Sequence, residues 1–389
     1  MHLSHILNHH GEERERYFGA VSPPIIQSSN FAFPNLSSFR RAFQSEYDAH
    51  LYTRGNNPTV KMLRDKLAEL ESTEDALVLG SGSAAVAAAI LSQVGQGDHI
   101  LCVQAPYSWT QHLLEEYLPR FGVTTTFVDG RNTAEIAAAI RPNTRVLYLE
   151  SPNSLTFAIQ DLRACAALAR AHGLVSIIDN SYASPLYQRP AEFGIDLVVH
   201  SGTKYLNGHS DVLVGVICGS REKLIQIFQH EYMTLGAIIS PHDAALVLRG
   251  LRTLELRMQR SNLSAATLAK RLAAHTKVQE VLHPLHPDFP QYELARSQMS
   301  GAGGLFSVHF RAQSLEQMER FSQALLDSGR FTLAVSWGGH ESLIMPSVAF
   351  YNIPGREDSP IPWTLVRFYI GLEDPDWLWQ GLAQGLAVL

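Results

Sequence analysis

Cysteine is scarce in this 389-residue chain, with three residues (Cys102, Cys165 and Cys218) and no CxxC spacing. An odd, scattered set argues against a disulfide framework or a cysteine-built zinc site, and makes a reducing cytoplasm the expected location. Cys102 and Cys218 lie in apolar runs and read as small buried hydrophobes. Long apolar runs are also missing: none approaches the roughly 18 residues that span a bilayer. The N-terminal MHLSHILNHHGEERERYFG lacks the apolar core of a signal peptide, and its histidines read as a solvated segment rather than a metal site. No basic run interrupts a net charge of -6, which argues against a nucleic-acid partner. Neither GxGxxG nor GxxxxGK[ST] occurs, so the nicotinamide and nucleoside-triphosphate fingerprints are absent. There is no internal repeat and no low-complexity tract.

What is present is an ordinary globular composition, 46% hydrophobic and 17% charged, with enough chain for two domains. Residues 1–50 show no strong period and read as an arm that packs on something else. From 51 to about 240, helical and strand patterns alternate. Helices are expected over 57–72, 83–95, 108–122 and 161–173, and strands over 99–106, 144–151, 175–181, 196–201 and 212–219. Strands apolar on both faces, separated by amphipathic helices, imply an α/β domain with a mostly parallel sheet. From 241 to 389 the pattern changes to a long helical stretch (241–275), strands over 303–310, 330–336 and 363–371, a helix over 314–329 and a terminal helix. That predicts a smaller α+β domain. Residues 346–363, rich in proline and turn formers, read as a surface loop.

In a parallel sheet, ligands sit beyond the carboxyl ends of the strands. The polar residues there are Tyr107, Glu150 and Ser151, Asp179 and Asn180, and the run Ser201 to Lys204 in HSGTKYLNGHSD. A lysine flanked by hydroxyls, with a carboxylate ending a nearby strand, suits pyridoxal 5'-phosphate. That cofactor needs an amine for its aldehyde, a carboxylate for its pyridinium nitrogen and small donors for its phosphate. Taken singly, Asp179 could equally cap a helix, GSGSAAV (80–86) could be a capping turn, and Arg367 could sit in an ordinary salt bridge. Read together, the second is a phosphate seat at a helix N-terminus and the third a fork for a substrate carboxylate. Tyr107 could stack on the ring.

These runs resemble the Cys/Met metabolism family of pyridoxal-phosphate enzymes, the cystathionine synthases and lyases and methionine γ-lyase. The resemblance covers nearly the whole chain: GAVSPPIIQSSNFAF, YTRGNNPT, GSGSAAV, ESPNSLT, DNSYASPLYQRP, HSGTKYLNGHSDVLVG, RGLRTLELRM, SWGGHESL and VRFYIGLED. It implies a fold-type I architecture, a large α/β domain and a smaller C-terminal domain. It implies that Lys204 holds the cofactor covalently and moves protons, Asp179 pairs with the ring nitrogen and Tyr107 stacks on the ring. The backbone of Gly82 and Ser83, with Ser201 and Thr203, would hold the phosphate. Tyr52 and Arg54 would reach the phosphate of a neighbouring subunit, giving a homotetramer with shared sites and a 1–50 arm against the neighbour. Ser336 and Arg367 match the carboxylate-binding positions. Val335 stands where γ-synthases and cystathionine γ-lyases have a glutamate and β-lyase and methionine γ-lyase types a bulky or apolar residue, Trp337 gives SWGG, Ser154 stands where the family usually has asparagine, and Tyr232 matches a β-lyase tyrosine. Against these, Ser108 and Trp109 replace a usual small pair. The resemblance is therefore greatest to bacterial cystathionine β-lyase, with a sulfur amino acid as substrate. γ-Synthase or γ-lyase chemistry, or a non-catalytic cofactor-binding protein, are the alternatives.

Overall fold

The computed structural model describes residues 1–355 and 358–389. Two compact units account for the chain. The first comprises 1–151, 160–207 and 211–253, and the second comprises 152–159, 208–210 and 254–389.

The first unit is built on a seven-stranded sheet: β1 (Asp75–Leu79), β2 (His99–Val103), β3 (Thr124–Val128), β4 (Thr144–Glu150), β5 (Val175–Asp179), β6 (Leu197–Ser201) and β7 (Gly215–Gly219), ordered β1-β7-β6-β5-β4-β2-β3. Neighbours from β3 to β6 run parallel, while β7 is antiparallel to both β1 and β6. The doubly apolar runs explain the burial: β1, β2 and β7 are covered along their full length.

Five helices matter to the site or its support: α1 (Leu3–Asn8), α2 (Leu36–Gln44), α3 (Pro58–Leu70), α4 (Gly82–Leu91) and α5 (Ser108–His112). Asn57 caps α3 through its side chain, with Pro58 at the first helical position. The region 1–50, read as irregular, contains α1 and α2. α1 is anchored by Ile6 and Leu7, both 2% exposed, and by Lys66 Nζ of α3, which donates to Ile6 O at 3.0 Å.

Three sequence expectations shift. The helix expected over 108–122 is α5 for only five residues, then a π-turn and a 3-10 turn ending at Gly122. Pro119 supplies no amide to an α-ladder there. The stretch 241–275 is two helices, Pro241–Leu251 and Leu254–Ala273. They part beyond Gly250, whose Cβ position would lie 2.2 Å from Asn207 O. Of the strand expected over 330–336, only Thr332–Leu333 pairs.

The second unit carries a five-stranded sheet: β8 (Val278–Leu282), β9 (Leu305–Phe310), β10 (Thr332–Leu333), β11 (Leu343–Pro346) and β12 (Leu365–Tyr369), ordered β10-β11-β12-β9-β8 and antiparallel except for β10–β11. Phe306, Phe310, Phe321, Phe331 and Phe368 form its aromatic core with the helices of this unit. In the expected loop 346–363, Ser347–Phe350 is a 3-10 turn, and Arg356 and Glu357 lie outside the described residues. Among the described residues no helix is long and apolar enough to cross a membrane.

Candidate active site

Parallel pairing aligns three strand ends. Glu150 of β4 is the register partner of Asp179 of β5, and Asp179 is the partner of Val199 of β6. The polar residues expected at these ends therefore occupy one rim of the first sheet. Glu150 Oε2 accepts from the Tyr107 amide at 2.7 Å, which fixes the start of α5 to the end of β4, and Tyr107 is 43% exposed. That openness is what a stacking surface needs.

Asp179 is buried, and Ser181 donates its amide to Asp179 Oδ1 at 2.8 Å. Burial pushes this carboxyl above its usual range, while the Ser181 hydrogen bonds and the charges of His200 and Lys204 pull it back. The Ser181 hydroxyl in turn accepts from the Ser201 amide at 2.6 Å, linking the Asp179 turn to the end of β6. Lys204 follows in a tight turn, its amide donating to Ser201 O at 3.1 Å, and is half-buried. Thr203 Oγ1 accepts from the Val214 amide at 2.9 Å, which ties the turn to the segment before β7.

The expected phosphate seat is a place of close approach. Ser81 caps α4, its hydroxyl accepting from the Ala84 amide. A Cβ on Gly82 would stand 2.8 Å from Ser201 Cβ and 2.9 Å from Ser201 Oγ, and one on Gly215 would stand 1.9 Å from Ser81 O. Two glycines thus let the N-terminus of a ten-residue helix press against the end of β6, bringing unpaired helix amides beside the Ser201 hydroxyl. An amine, a buried carboxylate, an open aromatic ring and this cradle are the donor set that pyridoxal phosphate requires, and the residues fit it. Tyr52 and Arg54 are exposed, the guanidinium 5.5 Å from the Tyr52 ring centroid.

In the second unit, Arg367 sits on central strand β12 between Met345 and Ser307. It is only 9% exposed, and burial pushes it down to about 10. Its Nη1 donates to Ser154 O at 3.2 Å and its Nη2 to Ser336 O at 3.4 Å. Among the described residues it has no carboxylate partner. The two carbonyls are held in place by their loops. Asn153 Oδ1 accepts from the amides of Leu155, Thr156 and Phe157, which coils the chain around Ser154. Ser336 adopts φ +77, a left-handed conformation that non-glycine residues avoid unless the surroundings impose it. Beyond it, Tyr369 Oη donates to Gly339 O, and Glu341 accepts from the Ser210 hydroxyl. Trp337 is buried and Val335 is 74% exposed.

One expected substrate contact does not fit its place. Tyr232 is 3% exposed, packs on Phe228 in the core of the first unit and donates its hydroxyl to Val78 O at 3.2 Å. That is the setting of a core residue, and the substrate-contacting role expected for Tyr232 gains no support from it. Conversely, the sequence reading passed over Glu71, Gln188 and His200, which form a buried polar cluster with Asn180 behind the strand ends. The available signal was a histidine inside the otherwise apolar run DLVVH.

A family model described as "Cys/Met metabolism PLP-dependent enzyme" matches residues 5–387. Among curated proteins, the chain is 38% identical to an L-methionine gamma-lyase of Pseudomonas putida, over 97% of this chain and 95% of that protein. It is 35% identical to a putative cystathionine beta-lyase of Rhizobium johnstonii, over 98% and 95%. It is likewise 35% identical to an L-alanine/L-glutamate racemase of Wolbachia pipientis, over 97% and 95%.

Proposed function

The chain belongs to the Cys/Met metabolism family of pyridoxal-phosphate-dependent enzymes, and we propose that within it the protein is a carbon–sulfur lyase that performs β-elimination on cystathionine or a related sulfur amino acid. The observation that carries the pyridoxal-phosphate part of the reading is the strand-end set of Lys204, Asp179, Tyr107 and the Gly82–Ser201 cradle. The reaction consumes cystathionine and water and releases homocysteine, pyruvate and ammonia.

When bound, pyridoxal phosphate withdraws electron density from the Cα of an amino acid. Lys204 holds the cofactor and is the base for the Cα proton, which it returns to the departing sulfur at Cβ. Asp179 keeps the ring nitrogen protonated, and Tyr107 covers the ring and serves the substrate's amino group. The N-terminus of α4, Ser201 and Thr203 hold the phosphate. Arg367 takes the α-carboxylate through two parallel hydrogen bonds, with Ser336 beside it and Trp337 shaping the pocket.

Val335, an apolar exposed side chain with no proton to transfer, favours a β-lyase or methionine γ-lyase type over a γ-synthase or cystathionine γ-lyase, and Trp337 and Ser154, which resemble the β-lyase pattern, support β-elimination. The methionine gamma-lyases among the relatives favour a second reading, γ-elimination. A keto-acid assay separates the two: pyruvate from L-cystathionine supports β-elimination, whereas 2-oxobutyrate from L-cystathionine or L-methionine would overturn it.

We also propose a homotetramer in which Tyr52 and Arg54 complete a neighbour's phosphate site. The exposed Phe39 and Phe43 on α2 offer apolar surface for such contacts. A monomer by light scattering at micromolar concentration would rule this assembly out.

A further inference from the structure

Behind the strand ends lies a polar cluster with no hydrogen bond to Lys204, Asp179 or Tyr107 among those described. Glu71 caps the C-terminus of α3 and is 1% exposed, as is His200 of β6. Glu71 Oε1 lies 2.5 Å from His200 Nε2 and accepts from Asn180 Nδ2 at 3.0 Å. Asn180 Nδ2 also donates to Gln188 O at 2.9 Å, and Gln188 Nε2 donates to Asn180 Oδ1 at 3.0 Å and to Ser151 O at 2.8 Å.

The positions of these partners matter more than their number. Asn180 follows Asp179, His200 precedes Ser201, and Ser151 follows Glu150. One buried carboxylate and one glutamine therefore tie together the ends of β4, β5 and β6. Asp179 and Val199 are register partners, so strand alternation directs Asn180 and His200 to the sheet face opposite Asp179. The cluster acts on the seat through the backbone, not by touching a ligand.

Holding a carboxylate there is costly in desolvation. Three atoms of the cluster, Glu71 Oε2, Gln188 Oε1 and His200 Nδ1, are buried without a hydrogen-bond partner among the described residues. An apolar set of similar volume would avoid that cost, so stability alone does not account for the cluster. Specifying one arrangement of three strand ends does account for it.

We propose that Glu71 is a positioning residue for the cofactor seat. Through Asn180 and His200 it sets the spacing of the β5 and β6 ends at which Asp179 and Lys204 engage one pyridoxal phosphate. The inference rests on the reading of Lys204 and Asp179 as the residues that hold this cofactor.

The test is titration of the apoprotein with pyridoxal phosphate, followed by absorbance, with the Tm of each variant measured alongside. Glu71→Ala raises Kd about tenfold or more at a temperature where it stays folded, because two buried donors lose their acceptor. Glu71→Gln retains an acceptor for Asn180 and recovers most of the affinity. A Tm loss in Glu71→Ala with Kd within about twofold of wild type would mark a purely structural residue and overturn the proposal. If Glu71→Ala does not fold, His200→Gln takes its place: a severalfold weaker Kd supports the proposal and an unchanged one overturns it. Wild-type protein that takes up no pyridoxal phosphate overturns the cofactor reading and this inference with it. Wild-type uptake that weakens in Lys204→Ala but not in the Glu71 and His200 variants overturns this inference alone.

Discussion

Asp179 in the first unit and Arg367 in the second are charged groups of equal exposure, 9% each, yet their surroundings differ. Asp179 receives a hydrogen bond from Ser181, and Lys204 and His200 lie close enough to act on it electrostatically. Arg367 faces two backbone carbonyls and, among the described residues, no anion. A buried charge with its own partners can be part of the protein's internal order. A buried cation offered only carbonyl dipoles is what the proposed carboxylate-binding role of Arg367 requires. The contrast matches the proposed roles, Asp179 for a resident cofactor and Arg367 for each substrate molecule.

The largest effect expected from breaking this scheme comes from Lys204 itself. Lys204→Ala lowers turnover by about a thousandfold or more, since the covalent holder and the proton carrier are lost together; keto-acid release measures it.

Asp179→Asn comes next, with a loss of about a hundredfold in kcat/KM from removal of a charge-assisted hydrogen bond in a buried site. The apoprotein should behave in the opposite way. Burial raises the folded pKa of Asp179 above its unfolded value, so the folded state keeps a proton that the unfolded chain has released. Stability from this group therefore falls as pH climbs from the ordinary carboxylate range towards the raised value. Asp179→Asn removes that slope, so the variant apoprotein melts above wild type at neutral pH and level with it below about pH 4. Equal Tm differences at both pH values would contradict this.

Arg367→Met sharpens the comparison from the other side. KM rises about thirtyfold while cofactor Kd stays unchanged, because a charge-assisted pair to the substrate is lost. The apoprotein Tm holds or rises, since a buried cation without a counter-ion is replaced by an apolar chain. A large fall in Tm would show that the two carbonyl contacts support the fold.

The smallest effect belongs to Gly82→Ala, where the new methyl meets Ser201 at 2.8 Å. Moving α4 by a few tenths of an ångström weakens cofactor binding about fivefold, seen in the apoprotein titration.

The same contrast bears on what could be read from the sequence. The strand ends of the first unit were legible, because runs such as VSIID and DLVVH are apolar on both faces and end in a polar residue. Edge strand β3, TTTFV, was not, being threonine-rich and only partly buried. β10 pairs over two residues and leaves no period to detect. In the second unit Arg367 was identifiable as a residue, but its missing counter-ion was not, since that depends on every side chain packed around it. The left-handed Ser336 was likewise hidden: nothing in SWGG fixes φ at the serine. Tyr232 was expected at the substrate from its match to a β-lyase tyrosine, and the sequence could not show that its hydroxyl donates to Val78 O within the core. Glu71 and His200 were overlooked for the converse reason, a helix-end acid and a strand histidine each having an ordinary explanation until the fold pairs them.

Borohydride reduction of the pyridoxal-phosphate-loaded protein, followed by peptide mass analysis, tests the central claim most directly. The account predicts one pyridoxyl adduct, on the peptide containing Lys204, and its loss in Lys204→Ala. An adduct on a different lysine, or none in a protein that still releases keto acid, would contradict it.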